Sequence, residues 1–295
     1  MAKIGVFDSG YGGLTILDAI RRELPGYDYL YLGDNARAPY GTHSFDVIYQ
    51  YTLQAVRFLF EQDCALVILA CNTASAKALR TIQQQDLPVI NARGAKRNVL
   101  GVIRPTVEMV PSVTKNNHVG ILATPATVSS ESYVLELEKI YEGLQTVRGR
   151  LQVSQQACPL WVPLIENGEH NTPGADYFVD KYLHELFARD PQIDTLVLGC
   201  THYPLLQAKI EQWVRNSAQH TQRGVQCIAQ GELVARSLAD YLIRHPEYRS
   251  QLSQGATCRY LTTENADRFS QSASVFLSTP VAAEHVRLLN FRNRS

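Results

Sequence analysis

The stretch ALVILACNTASA, residues 65–76, decides the fold. An apolar run without polar alternation is typical of a strand buried on both faces, as in a parallel sheet. The segment behind it, TASAKALRTIQQQ (73–85), has helix-forming residues at helical spacing, with Asn72 or Thr73 available as the N-cap. Cys71 is therefore predicted to lie at the carboxyl end of a strand, against the start of a helix.

Two interpretations of Cys71 are open on this pattern alone. Ligands of open α/β sheets bind at the carboxyl ends of strands, and a helix N-terminus stabilises a thiolate. A free cysteine is more often a small buried hydrophobe. However, TLVLGCTHYPLL (195–206) repeats the pattern, with an apolar strand ending in Gly-Cys before a Pro-initiated helix through LLQAKIEQWVRN. Two strand-end cysteines, Cys71 and Cys200, are hard to attribute to core filling, so the repetition favours a functional role.

The composition is that of a globular enzyme. The 295 residues are 45% hydrophobic and 19% charged, and 28 basic residues balance 28 acidic ones, which gives no electrostatic signature of nucleic-acid or membrane binding. The N-terminus, MAKIGVFDSG, turns polar too early for a secretory signal, and no apolar run approaches the roughly 18 residues of a membrane-spanning helix. We expect a cytoplasmic protein whose six cysteines are reduced.

Strand-like and helix-like segments alternate along the chain, which predicts an α/β fold of parallel βα units with helices on both faces. The predicted strands are KIGVF, DYLYLG, ALVILA, HVGILA, TLVLG and VQCIA. The predicted helices include LTILDAIRREL, SFDVIYQYTLQAVRFLFEQ, SESYVLELEKIY, DYFVDKYLHELFA, ELVARSLADYLI and ADRFSQSASVFL. The basic segment NARGAKRNVLGVIRP (91–105) is interpreted as a link between two lobes, which would place Cys71 and Cys200 on opposite sides of a cleft.

Polar residues also follow other predicted strands. Asp8 and Ser9 stand in FDSGYGGLT (7–15), where they either cap the next helix or take part in binding. This stretch lacks the third glycine of a dinucleotide fingerprint, and no Gly-Lys-Ser/Thr loop occurs in the sequence. Further polar groups follow the second strand and HVGILA, and together they suggest a polar cup for a small zwitterion. These are Asp34, Arg37, Tyr40, Thr42, Thr124 and Thr127.

Two facing thiols suit the inversion of a carbon centre. Removing a proton from one face and returning one to the other needs two acid/base groups, here a thiolate and a thiol. An ordinary thiol pKa of about 8.5 would approach neutrality beside a helix N-terminus or a histidine. Asp8 is placed to assist Cys71, and His202 to assist Cys200.

The motifs together resemble those of glutamate racemases, a family of the aspartate/glutamate racemase superfamily. They run in the family's order from residue 8 to residue 204, with a weaker match in CPLWVPLIENGE (158–169). The matching segments are DSGYGGLT (8–15), GDNARAPYG (33–41), ACNTA (70–74), ATPAT (123–127) and GCTHYP (199–204).

The resemblance implies interconversion of L- and D-glutamate without a cofactor or metal, supplying D-glutamate for peptidoglycan. It implies that Cys71 and Cys200 are the catalytic bases, assisted by Asp8 and His202. The substrate-binding residues that it implies are Asp8, Ser9, Tyr40, Gly41, Asn72, Thr73, Thr124, Thr201 and His202. The expected partner is a small molecule, glutamate, rather than nucleic acid or membrane, and the expected assembly is a homodimer.

The resemblance further implies two pseudo-symmetric α/β lobes, each a mainly parallel sheet flanked by helices, with the active site in the cleft between them. The first lobe is expected to be discontinuous, comprising 1–97 and 211–295, and the second to comprise 98–210. One departure from the family pattern is AQGE (229–232), where an Asp-Ser-Gly-like turn is common. We expect it not to touch the catalytic residues.

Other functions remain open at this point. An aspartate racemase would use the same pair of cysteines, whereas a related decarboxylase with a single cysteine is disfavoured because both positions are filled. A two-lobed binding protein would not need two thiols. A metal or redox site formed by Cys71, Cys200 and His202 lacks a familiar ligand spacing. The remaining cysteines have no catalytic assignment: Cys64, Cys227 and Cys258 are expected in the core, and Cys158 has no assigned role.

Overall fold

The computed structural model of the protein describes residues 1–92, 94, 96–144, 149–217, 224–277 and 279–288. The strands in this part are β1 (Lys3–Asp8), β2 (Tyr29–Gly33), β3 (Cys64–Leu69), β4 (Asn98–Gly101), β5 (His118–Ala123), β6 (Gln152–Ala157), β7 (Thr195–Gly199), β8 (Gln226–Ile228), β9 (Cys258–Thr262) and β10 (Ala283–His285). They form a sheet of order β10-β9-β2-β1-β3-β4 and a second of order β6-β5-β7-β8. All pairings are parallel, which confirms the predicted α/β class with two sheets.

The helices connect consecutive strands and cover the sheets. They are α1 (Gly13–Glu23), α2 (Phe45–Glu61), α3 (Asn72–Lys77), α4 (Leu79–Thr81), α5 (Leu87–Asn91), α6 (Ile103–Val113), α7 (Pro125–Ser129), α8 (Ser132–Gly143), α9 (Trp161–Glu166), α10 (Pro173–Arg189), α11 (Gln207–Asn216), α12 (Gly231–Arg244), α13 (Pro246–Arg249) and α14 (Ala266–Ala273). Short 3₁₀ turns lie at Asn35–Arg37, Tyr40–Thr42, Glu169–Asn171 and Tyr203–Leu206. Within this described part, no helix is both long and apolar enough to cross a membrane.

Apolar packing on both faces of each sheet explains the continuous apolar strands. One cluster joins Ile4, Val6 and Leu66 to the buried face of α1, including Leu17, and to Leu238 of α12. A second cluster covers the other face of the same sheet. Two further clusters flank the second sheet in the same way. Because both faces are covered, the strands need no polar alternation.

The register brings the strand ends to common edges. Phe7 of β1 pairs with Leu69 of β3, so Asp8 and Cys71 emerge at the same edge of the first sheet. In the second sheet Ala123 pairs with Gly199, so Thr124 and Cys200 emerge side by side. The predicted convergence of strand-end polar groups is therefore seen in each sheet.

The predicted helix after Cys71 differs in its details. Cys71 itself, rather than Asn72 or Thr73, is the N-cap, and its Sγ accepts the backbone N–H of Ala74 at 3.4 Å. The helix is also not uniform: α3 and α4 lead into a π-helical turn at Ile82–Asp86 and then α5. The sulfur therefore takes the place of the usual oxygen cap.

The expected domain boundaries at 97/98 and 210/211 do not follow the sheets. β4, which begins at Asn98, pairs with β3 in the first sheet, and β8 pairs with β7 in the second. The interpretation of 91–105 as a linker is therefore wrong for β4, while residues 93 and 95 lie outside the described residues. In the described strand pairings, the chain passes from the first sheet to the second between β4 and β5 and returns between β8 and β9.

Candidate active site

The carboxyl ends of strands from both sheets surround one cavity of about 110 Å³. It is lined from the first sheet by the residues after β1, β2 and β3, and from the second by those after β5, β6 and β7. The cavity brings together the predicted catalytic and substrate-binding residues, which are Asp8, Ser9, Tyr40, Gly41, Cys71, Asn72, Thr73, Thr124, Cys200, Thr201 and His202. Of the other residues predicted for the polar cup, Thr42 lines the cavity, whereas Asp34, Arg37 and Thr127 do not. A larger cavity of about 740 Å³, on the side of α3 that carries Ser75, contains none of them.

Cys71 lies on the wall formed by the first sheet and is 6% exposed. Two groups contact its sulfur: Ser9 Oγ, which lies 3.3 Å away, and the backbone N–H of Ala74 at the start of α3. Burial, reinforced by the neighbouring Asp8, raises the pKa of the Cys71 thiol to about 12 against the opposing hydrogen bonds of Ser9 and Ala74. The expected lowering by the helix N-terminus is therefore outweighed by desolvation, and Cys71 retains its proton at neutral pH.

Cys200 lies on the opposite wall and is also 6% exposed. Its Sγ lies 3.7 Å from Nδ1 of His202, whose Nε2 lies 2.9 Å from Oε1 of Glu166. Burial alone would lower the pKa of His202, but its hydrogen bonds to Cys200 and Glu166 prevail and raise the pKa to about 10. The ring therefore carries a positive charge at neutral pH, and a cation at this distance stabilises a thiolate.

Asp8 is the charged group on the Cys71 wall and is 1% exposed. Its Oδ1 accepts the backbone N–H of Gly10 at 2.8 Å. Burial raises the pKa of this carboxyl, while His202 and the N–H groups of Gly10 and Gly13 act in the opposite direction. The N–H of Gly13, the first residue of α1, also bonds to this carboxyl, so Asp8 caps the start of α1, which was one of the two predicted alternatives. Asp8 lines the cavity as well.

The loop after β2 contributes Tyr40 to the cavity wall, and a buried carboxylate binds the Tyr40 hydroxyl. Asp34 is fully buried and accepts hydrogen bonds from Tyr40 Oη, from Arg37 Nε at 2.7 Å and from Thr263 Oγ1 at 2.9 Å. Burial raises the pKa of Asp34, with Arg37 acting against that rise. Tyr40 and the adjacent Gly41 thereby become a fixed part of the cavity wall.

Hydroxyl groups join the walls. Thr73 Oγ1, from the first sheet's side, lies 3.0 Å from Oγ1 of Thr124, which caps α7 on the other side. Thr15 Oγ1 donates to the carbonyl of Thr201 at 3.1 Å. A Cβ built on Gly12 would lie 2.4 Å from Nδ1 of His202, so only glycine permits this approach. The two lobes are in direct contact around the cavity.

Comparison with known proteins agrees with this arrangement. A family model described as Asp/Glu/Hydantoin racemase matches residues 4–238. The chain belongs to this racemase family. A protein named glutamate racemase from Ruegeria sp. (strain TM1040) is 38% identical to this racemase over 291 residues, covering 95% of this chain and 98% of that one.

Solved structures share the fold over nearly the whole chain. Glutamate racemase isoform RacE1 from Bacillus anthracis matches with a TM-score of 0.81 and 30% identity, covering 97% of this chain and 98% of that one. The glutamate racemase of Francisella tularensis subsp. tularensis SCHU S4, solved in complex with D-glutamate, matches with a TM-score of 0.80 and 31% identity over the same shares. These similarities confirm the predicted two-lobed fold.

Sequence reasoning missed three residues of this racemase's cavity region. Glu166, at the end of α9, supports His202, and it stands in the weakly matching CPLWVPLIENGE segment, which was the available signal. Cys158 lines the cavity as a third buried thiol, with its Sγ 3.6 Å from the carbonyl of Gln156. Gln230, in the departing AQGE segment, bonds to Asn72. Among the described residues, no group of three or more His, Cys, Asp or Glu side chains is arranged to hold a metal ion.

Proposed function

We propose that the protein is a glutamate racemase that works without a cofactor, with Cys71 and Cys200 as its two acid/base groups. One observation carries the proposal: the two thiols come from different sheets and line opposite sides of a single small cavity. Cys200 is close enough to contribute to the raised pKa of Cys71. The names of the similar proteins support glutamate as the substrate.

The reaction requires one proton to leave the α-carbon and another to arrive on the opposite face. A thiolate on one side removes the α-proton, and the C–H electron pair stays on the substrate, delocalised into its carboxylate. The thiol on the other side then donates its proton to that carbon. The two sulfurs finish with exchanged protonation states, and proton exchange with solvent or a turnover in the reverse direction resets them.

The ionisation states of the cavity suggest the resting arrangement. Burial beside Asp8 keeps the proton on Cys71, as its raised pKa requires. The protonated His202, held by Glu166, places a positive charge 3.7 Å from the Cys200 sulfur. We propose that Cys71 holds a transferable proton in the free enzyme, with Asp8 and His202 assisting the respective sulfurs.

The polar lining supports binding of a small zwitterion. Hydroxyls, amides and exposed backbone groups receive carboxylates, while Asp8 and Glu166 suit the ammonium group. The residues that we propose as contacts are Asp8, Ser9, Tyr40, Gly41, Asn72, Thr73, Thr124, Thr201 and His202. The cysteines are left to approach the α-carbon.

Incubation of the purified, reduced protein with L-glutamate in D₂O tests the proposal. Optical rotation and α-deuterium content are followed together. We expect rotation to fall to zero while deuterium enters the α-position. If the folded protein leaves both unchanged, glutamate is not its substrate. The same assay with L-aspartate tests the aspartate racemase alternative, which would be favoured by exchange of aspartate alone.

We also propose that the enzyme acts in the cytoplasm as a homodimer and supplies D-glutamate to peptidoglycan synthesis, as its resemblance to glutamate racemases suggests. Growth of a bacterial D-glutamate auxotroph carrying this gene, without added D-glutamate, tests the physiological role. Light scattering of the purified protein tests the dimer. Dividing the described chain after β4 and after β8 gives the proposed lobes, and limited proteolysis at those crossings tests them.

A further inference from the structure

Gln230 occupies the junction of the two lobes beneath the cavity. It follows β8 of the second sheet, precedes α12 of the first lobe's helical layer and is 1% exposed. Its amide contacts Asn72, Tyr133 and Thr106, which lie on α3, α8 and α6. One buried side chain therefore connects three helices, including the helix that begins next to Cys71.

The hydrogen bonds form a closed ring. Asn72 Nδ2 donates to Gln230 Oε1 at 2.5 Å, Gln230 Nε2 donates to Tyr133 Oη at 2.9 Å, and Tyr133 Oη donates to Asn72 Oδ1 at 2.7 Å. Each member of the ring both gives and receives a hydrogen bond. Buried polar networks of this kind hold their members in one geometry when every group is satisfied.

Thr106 fixes the direction of the ring. Its hydroxyl hydrogen goes to the carbonyl of Val102 at 2.7 Å, so its oxygen can only accept from Gln230, whose Nε2 lies 2.9 Å away. That contact requires Nε2, not Oε1, to face α6, and Oε1 must then accept from Asn72. A backbone carbonyl thus determines which way the Asn72 amide is oriented.

The orientation leaves one Asn72 hydrogen for the cavity. Its Oδ1 is occupied by Tyr133, and one of the two Nδ2 hydrogens by Gln230. In the described part of the chain, the structure shows no acceptor for the second hydrogen, and Asn72 lines the cavity beside Cys71. An N–H donor at that position suits a carboxylate oxygen, whereas a flipped amide would present an acceptor and repel it.

We propose that Gln230 is a positioning residue that, together with Tyr133, holds Asn72 as a hydrogen-bond donor to the substrate carboxylate on the Cys71 side. The inference rests on the proposed racemisation of glutamate. Gln230 does not line the cavity, so its effect on turnover passes through Asn72. In the described contacts Gln230 touches none of the predicted catalytic residues, as expected for the AQGE segment, but it does touch Asn72, a predicted binding residue.

A double-mutant cycle tests this coupling. Gln230→Leu is expected to lower kcat/KM for glutamate about tenfold, as the loss of a well-oriented hydrogen bond of about 1.4 kcal/mol predicts. In an Asn72→Ala background the same substitution is expected to cost less than about twofold, because the residue through which it acts is gone. A tenfold loss in both backgrounds, as from general loosening of the fold, overturns the proposal.

Two further variants keep the result interpretable. Tyr133→Phe removes the hydroxyl that donates to Asn72 Oδ1 and is expected to show the same non-additivity, so it carries the test if Gln230→Leu does not fold. Gln156→Leu removes another buried glutamine, one that bonds to Glu185 and not to Asn72, and is expected to change kcat/KM by less than about twofold. A wild-type protein inactive on glutamate contradicts the proposed function itself, whereas an active wild type with additive variants contradicts only the role of Gln230.

Discussion

Nε2 of His202 lies 2.9 Å from Oε1 of Glu166, which joins the loop after β7 to the end of α9. The carboxylate and the Cys200 sulfur contact opposite nitrogens of one buried ring. The pKa of His202 is raised to about 10 even though burial opposes protonation. Glu166 thus helps to keep a proton near Cys200.

This pair predicts a pH-dependent stability. Since His202 binds its proton more tightly in the folded protein than at its ordinary pKa of about 6.5, its contribution is fully present below pH 6.5 and is lost as pH rises toward 10. Between pH 6.5 and 9, we expect the free energy of unfolding to fall with pH in the wild type and to fall less steeply in Glu166→Gln. Urea denaturation at several pH values measures both slopes.

Glu136→Gln is the matched control for that slope. Glu136 pairs with Arg80 and Lys139 and not with a histidine, so its loss is expected to leave the slope unchanged. Equal slopes for wild type and Glu166→Gln would show that the carboxylate does not hold the His202 proton.

Replacing Cys71 or Cys200, the proposed acid/base groups, should slow racemisation about 10²–10⁴-fold, the usual contribution of a positioned acid or base. Because the two enantiomers have equal free energies, Cys71→Ser and Cys200→Ser must each lower kcat/KM equally in both directions. We expect residual α-deuterium exchange in each variant to be confined to one enantiomer, and to opposite enantiomers in the two variants. Proton NMR of D- and L-glutamate in D₂O measures this exchange.

Cys158→Ala provides the matched control, because Cys158 is a third buried thiol of the same cavity. Its racemisation rate should remain within about threefold of the wild type. A loss as large as that of Cys71→Ser would instead place Cys158 among the acid/base groups.

Gly12→Ala should disturb the contact between the lobes. The added methyl carbon would lie 2.4 Å from both His202 Nδ1 and Thr201 Oγ1, which is closer than nonbonded atoms can approach. We expect a loss of about 1–3 kcal/mol in the free energy of unfolding and a marked loss of activity, because His202 must move. Thermal denaturation and the racemisation assay measure the two effects.

Gly26→Ala is the control, since no neighbouring atom lies within 4 Å of the position a Cβ would take there. Wild-type activity in Gly12→Ala would show that the loops after β1 and β7 do not need this close approach.

Arg37→Met should lower the free energy of unfolding, because the buried Asp34 carboxylate loses its cationic partner. Without the guanidinium 2.7 Å away, the charged form loses its cationic partner, and we expect a loss of about 3–5 kcal/mol at pH 7. The pKa of Asp34 is already raised by burial and would rise further. The loss should therefore shrink as pH falls and Asp34 takes up a proton.

Denaturant titrations at pH 7 and pH 5 measure that difference. Arg22→Met removes an exposed ion pair with Asp18 and should cost less than about 1 kcal/mol at either pH. An Arg37→Met penalty that does not depend on pH would mean that Asp34 is not the group responsible.

The sequence was sufficient for those site residues that directly follow an apolar strand. Cys71, Thr124 and Cys200 were predicted because a buried strand ends immediately before each of them. Parallel pairing then brings such positions to one edge, as the register of Ala123 with Gly199 shows. The weakly apolar β6, with the sequence QVSQQA, carries no such signal and was missed, as were β4, β9 and β10.

Contacts that depend on the packing of distant elements could not be predicted. Glu166 reaches His202 across 36 positions, and Gln230 reaches Asn72 across 158. The direction of the Cys71 pKa shift was also beyond the sequence, because a helix N-terminus can be recognised from the chain but the extent of burial that outweighs it cannot.

The closeness of the lobes has a kinetic consequence. Cys71 and Cys200 are each only 6% exposed, and Thr73 is hydrogen-bonded to Thr124 between the walls, so the approach to the cysteines is narrow. We expect the lobes to part to admit the amino acid and to part again to release its mirror image. The rate of opening then sets an upper limit on turnover, however fast the protons move. A more viscous solvent is therefore expected to slow the enzyme.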